Sequence, residues 1–95
     1  MEVILNLEQA DIMLHSNINK NCYYLFKDKI IVETERNKYQ EILLPKDEDD
    51  KIVCFNDIYY IKDRLQIIVA SRDCYDRVFM LDEYNLSIMF VGLTK

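Results

Sequence analysis

Apolar residues fall into short runs separated by polar clusters along the whole chain. The runs occupy residues 22–26, 30–34, 39–44, 51–55, 58–61, 65–70, 75–81 and 86–91. Charged or turn-forming clusters lie between them, among them Lys27-Asp28-Lys29, Lys62-Asp63-Arg64 and Asp82-Glu83-Tyr84-Asn85. Strand-length runs rich in Ile, Val, Tyr and Phe at this spacing predict an all-β protein. Pro45 closes one run, because a residue without a backbone N–H cannot continue a ladder. Towards the N-terminus, residues 3–7 alternate and residues 12–14 resume the pattern, so two further strands are expected there. Leu7, Ala10, Met13 and Leu14 also share a helical face, which makes a short helix the other reading of this stretch.

Several runs are apolar at consecutive positions, such as Ile30-Ile31-Val32 and Ile67-Ile68-Val69. A half-buried strand would alternate, so these runs predict sheets covered on both faces. The runs also repeat. Sliding residues 57–92 back by 36 positions, without a gap, sets Tyr59 and Tyr60 on Tyr23 and Tyr24. The same shift sets Ile67 on Ile31, Arg72 on Arg36, Tyr75 on Tyr39 and Ile88 on Ile52. The reading is one domain of tandem four-stranded antiparallel meanders. Residues 1–20 form a half repeat, 21–56 the first repeat and 57–92 the second. Each full repeat opens on a tyrosine pair. Adjacent strand residues face opposite sides, so one tyrosine of each pair is expected in the core.

The segment Tyr75-Asp76-Arg77-Val78-Phe79-Met80-Leu81-Asp82-Glu83-Tyr84-Asn85-Leu86 resembles the third strand, turn and fourth strand of a β-propeller blade. The resemblance implies blade-like sheets packed against one another. Two and a half blades do not close a ring, so it implies either subunits that complete a ring or a sandwich or half-propeller in one chain. The single glycine, Gly92, departs from the glycine-rich habit of propeller repeats.

Composition narrows the function more than the fold. The net charge of −5 and the pI near 4.7 lack the basic footprint that DNA or RNA binding needs. The same charge disfavours an anionic membrane surface. No apolar run approaches the roughly 18 residues of a membrane span. The first residues have no basic segment of the signal-peptide kind, so a cytoplasmic protein is expected. Cys22, Cys54 and Cys74 are odd in number, far apart and without a Cys-x-x-Cys pair, which suits reduced thiols in the same compartment.

Catalytic chemistry finds little support. The one histidine, His15, has no neighbouring nucleophile motif, and no glycine-rich phosphate loop or His-Glu-x-x-His pair exists. The chain is therefore read as a non-enzyme without metal or cofactor. Asp47, Glu48, Asp49 and Asp50 form an acidic turn that lacks the glycine and the spaced final Glu of a calcium loop. The corresponding turn of the second repeat is not acidic in this way, so the cluster is extra to the fold. Small, acidic, cytoplasmic and without catalytic residues, the chain resembles in composition the bacterial immunity proteins that block basic toxin domains, often nucleases. That resemblance implies a basic protein partner met by Asp47, Glu48, Asp49 and Asp50, with Asp73, Asp76, Asp82 and Glu83 next. The alternative is a lectin-like or scaffold repeat protein that oligomerises into a ring and binds a small ligand.

Overall fold

A computed structural model describes residues 6–46, 50–73 and 75–94. Eight strands follow a 3-10 turn at Leu7–Gln9: β1 Ile12–His15, β2 Cys22–Leu25, β3 Lys29–Glu35, β4 Lys38–Leu43, β5 Ile52–Ile61, β6 Arg64–Ser71, β7 Asp76–Asp82 and β8 Ser87–Thr94. They form two antiparallel meanders in tandem, ordered β1-β2-β3-β4 and β5-β6-β7-β8, with no closed barrel. The tandem four-stranded all-β architecture expected from the spacing is thus present. Of the strand expected at 3–7, residues 3–5 lie outside the described residues. Leu7 belongs instead to the 3-10 turn, which Ala10 N–H closes on Leu7 O at 3.2 Å.

The two runs at 51–55 and 58–61 are not separate strands. They join into the ten-residue β5, which pairs with β6 along its length. Asn56-Asp57 reads as a turn in the sequence. Register shifts between Ile52 and Cys54 and between Phe55 and Asp57 instead absorb extra residues into the ladder, as β-bulges do. The N-terminal sheet consequently takes its fourth strand from β1, and the sheet boundary falls between β4 and β5 rather than at residue 56.

The register corrects the repeat as well. Leu25 faces Ile30 across β2–β3, and Tyr60 faces Leu65 across β5–β6, so these hairpins correspond at an offset of 35. The gapless offset of 36 is one residue out, and a one-residue slip exchanges the faces of a strand. Tyr23 accordingly lies in the core, whereas in the second pair it is Tyr60 that packs against the core. Each pair sends one tyrosine inward, but not the same member.

One core joins the sheets. Tyr23, Leu25, Ile30, Val32 and Ile42 from the first meet Phe55, Ile58, Leu65, Ile67, Val69, Phe79 and Leu81 from the second. Each fully buried large side chain contributes about 1.5–3 kcal/mol. A main-chain bond crosses the junction, Phe55 N–H to Lys27 O at 2.8 Å. Ile31 and Ile68, the middle residues of the two triple runs, are buried off this core. Ile31 lies in register between Tyr24 and Glu41, so its own sheet contributes neighbours on that face.

The sheets differ in size. The strands of the N-terminal sheet have four, four, seven and six residues, and those of the C-terminal sheet ten, eight, seven and eight. The larger sheet therefore extends past the smaller. With so little glycine, left-handed backbone positions fall to Asn37, Asp50, Lys62 and Leu86, at φ of 63°, 51°, 58° and 57°.

Candidate functional site

The carboxylates expected to meet a partner do not form one patch. Asp47, Glu48 and Asp49 lie outside the described residues. Asp50 is exposed. Its neighbour Lys51 accepts a backbone bond from Arg72 N–H at 2.8 Å, which brings the start of β5 beside the turn that carries Asp73. The Asp73 carboxylate accepts from the Arg77 guanidinium at 2.7 Å, Tyr75 N–H at 3.0 Å and Ser71 Oγ at 3.0 Å. Arg77 above all, and then these donors, hold that carboxyl well below the usual carboxylate range. Asp76 opens β7 opposite Thr94.

Asp82 and Glu83 lie at the other end of β7, about 20 Å away at roughly 3.3 Å per residue. Asp82 is exposed, but its carboxylate closes the β7–β8 turn, accepting Tyr84 N–H at 2.9 Å and Asn85 N–H at 3.0 Å. The Asn85 and Tyr84 amides lower its pKa.

Glu83 requires a larger correction. Expected on the surface, it is 5% exposed. Its Oε1 accepts from Ser16 Oγ at 2.8 Å, Tyr23 OH at 2.9 Å and Tyr60 OH at 2.6 Å. Its backbone carbonyl accepts from Asn19 Nδ2 at 3.2 Å and Asn21 Nδ2 at 3.0 Å. Burial, with the Glu83 carboxylate beside it, raises the Tyr23 phenol strongly and the Tyr60 phenol as well. Asn17 N–H completes the cluster by donating to Tyr60 OH at 2.9 Å. The cluster clamps the polar connector 16–21 to the β7–β8 turn. No buried side-chain nitrogen or oxygen among the described residues is left without a partner.

Where the larger sheet extends past the smaller, its inner face is open. A cleft of about 600 Å³ is lined by Pro45, Lys46, Ile52, Arg77, Phe79, Phe90, Gly92 and Leu93. Phe79 and Phe90 meet edge to face, ring centroids 5.7 Å apart, and form part of its apolar wall. Phe79 is buried, whereas Phe90 and Leu93 stay more than half exposed. Ile52 starts β5 and Arg77 is the second residue of β7, so the cleft opens at the end of the sheet that carries Asp50, Asp73 and Asp76. Chemically it offers an apolar seat whose lining charges are the cations Lys46 and Arg77.

The sequence reading did not single out Ile52, Phe90 or Leu93. The available signal was the run Ile88-Met89-Phe90-Val91, apolar at every position where a strand with one wet face would alternate. His15 is exposed at the end of β1. Among the described residues, no group of three or more His, Cys, Asp or Glu is arranged to hold a metal ion. Also among them, no helix is long and apolar enough to cross a membrane. Compared with protein families, curated proteins and solved structures, the chain matches none.

Proposed function

We propose that this chain is a binding protein that neutralises a basic protein partner, in the manner of bacterial immunity proteins that block a toxin domain. The observation that carries the reading is the open apolar cleft at the acidic end of the C-terminal sheet. A net charge of −5 steers a basic partner towards the protein. An apolar or aromatic side chain of the partner then fills the cleft between Ile52, Phe90 and Leu93, and such central anchors carry most of the energy of an interface.

The carboxylates assigned to the contact are Asp50, Asp73 and Asp76, together with Asp47, Glu48 and Asp49, which precede Asp50 in the sequence. Asp82 and Glu83 are left out, because they lie at the far end of β7 from the cleft and Glu83 is buried. Asp73 stays ionised at neutral pH, held so chiefly by Arg77. The charged residues that line the cleft itself are Lys46 and Arg77, and Asp73 is paired with Arg77 and Lys51, so the partner's cations meet Asp50 and Asp76 beside the cleft.

The test is co-expression with the basic product of an adjacent gene. A stoichiometric complex and loss of that product's toxic activity are expected. Absence of both removes the reading. Within a complex, Asp50→Lys with Asp76→Lys slows association, more at low salt, and Phe90→Ala speeds dissociation. Unchanged rates in both variants move the interface elsewhere.

A further inference from the structure

Four strands end the two sheets, and three of those edges are guarded. β1 has only four residues. β4 carries Lys38 and Glu41. β5 lies against the N-terminal sheet through the bond from Phe55 to Lys27. Short strands, charges and covering segments are the usual means of stopping one sheet edge from pairing with another.

β8 is built differently. Its eight residues, Ser87–Thr94, include no charge and no proline. Met89, Phe90, Val91 and Leu93 are 59%, 54%, 52% and 57% exposed. β7 is the only strand it pairs with among the described residues. Its one irregularity is a register shift, in which Val78 pairs with Gly92 and Phe79 with Phe90, so Val91 is left without a partner on β7.

We propose that β8 pairs with β8 of a second copy, antiparallel about a two-fold axis, joining two four-stranded sheets into one of eight strands. Charge favours a second copy along this edge. The strand has no carboxylate of its own to hold a cationic surface, so a basic partner seated on Phe90 and Leu93 depends on neighbouring carboxylates and competes with the second copy for β8. For two chains of −5, the same strand is the long edge along which they meet without opposing carboxylates, β1 being half its length. A two-fold interface also sets like against like, and here that means apolar against apolar. The area sets the strength. Phe90 and three smaller aliphatic side chains, each about half exposed, offer well under about 800 Å² per copy, since even a whole aromatic side chain buries only roughly 150–250 Å². Stable specific interfaces bury about 800 Å² per partner. The dimer is therefore a weak one. This surface shares Phe90 and Leu93 with the cleft but holds none of the carboxylates, and the dimer responds to salt in the opposite sense. Screening weakens attraction to a basic partner but relieves repulsion between two acidic copies.

Sedimentation velocity over a concentration series up to about 200 µM, at low and high salt, tests the proposal. The wild type is expected to shift from monomer to dimer as concentration rises, at lower concentration in high salt. Val91→Lys alters a residue with no partner on β7, so it should leave the sheet intact and keep the protein monomeric throughout. Met89→Lys serves as the second edge variant, with a circular-dichroism melt to confirm folding of both. Leu43→Lys, on the exposed β4 edge, should dimerise like wild type. A wild type that stays monomeric in both salts overturns the proposal. So does a folded Val91→Lys or Met89→Lys protein that still dimerises, or a Leu43→Lys protein that does not.

Discussion

Glu83→Ala tests the clamp between the connector and the β7–β8 turn. The carboxylate collects three hydroxyl donors at 2.6–2.9 Å. Hydrogen bonds to a charged group are worth roughly 1.5–3 kcal/mol each. The cost of keeping a carboxylate out of water, several kcal/mol, offsets much of that sum. The net loss is set by what the substitution leaves behind. Ser16 Oγ and Tyr60 OH already stand 3.4 Å apart and can turn to each other. Tyr23 has no such recourse. It is fully buried, and its oxygen still receives Asn21 Nδ2 at 3.0 Å, so its proton loses its acceptor. One stranded buried donor costs about 1–3 kcal/mol. With the lost side-chain packing, the expected destabilisation is about 2–4 kcal/mol, or a Tm lower by roughly 10–25 °C for a domain of this size. Urea unfolding followed by circular dichroism measures it. In a Tyr23→Phe background the stranded proton is absent, so the cost of Glu83→Ala should fall by about 1–2 kcal/mol, a coupling typical of residues in contact. A cost below about 0.5 kcal/mol, or the same cost in both backgrounds, would refute the reasoning.

Three further outcomes follow from the geometry. The raised phenols make the fold sensitive to alkali. The hydrogen bond to Cys22, then burial, pushes Tyr24 up to about 12, and Tyr23 and Tyr60 are raised chiefly by burial. The unfolded chain releases its phenolic protons near pH 10. Stability is therefore fully present below that pH and lost as pH rises from there towards the folded-state values. The urea midpoint should fall between about pH 9.5 and 11, and Tyr23→Phe should flatten the decline. Arg77→Gln should return the Asp73 carboxyl towards the ordinary range, read as an upward move of its carboxyl carbon titration by NMR; an unmoved titration would show that Arg77 does not control it. Lys62→Gly, at φ 58° in the two-residue β5–β6 turn, should stabilise the fold by roughly 0.5–1 kcal/mol, because glycine meets no Cβ penalty there. A lower urea midpoint in that variant would count against a strained turn.

Most strands are legible as apolar runs because each core residue of β3, β6 and β7 sits in a run bounded by turn residues. β5 is not, because bulges allow Asn56-Asp57 to stay in a ladder, and a bulge leaves no compositional trace. The repeat offset is one residue out because the matching tyrosine pairs outweigh the burial parity that decides register. Tyr23 and Tyr60 are the core members, yet identity alone sets Tyr23 on Tyr59. The candidate site is less legible still. Glu83 does not lie on the surface, since the hydroxyls that draw it inside come from Ser16, Tyr23 and Tyr60 on other parts of the chain. The cleft depends on one sheet being larger than the other, a property of strand pairing rather than of any motif.

The bond from Phe55 N–H to Lys27 O gives the junction of the sheets an unusual tolerance of mutational drift. Both partners are main-chain atoms, so the contact does not depend on the identity of the side chain at position 27, which is exposed and can be exchanged. Only a proline at 55, or a change in backbone path, deletes it. Lineages of this chain can therefore diverge widely across the β2–β3 turn while keeping the relative seating of the two sheets, so sequence divergence there should run ahead of structural divergence.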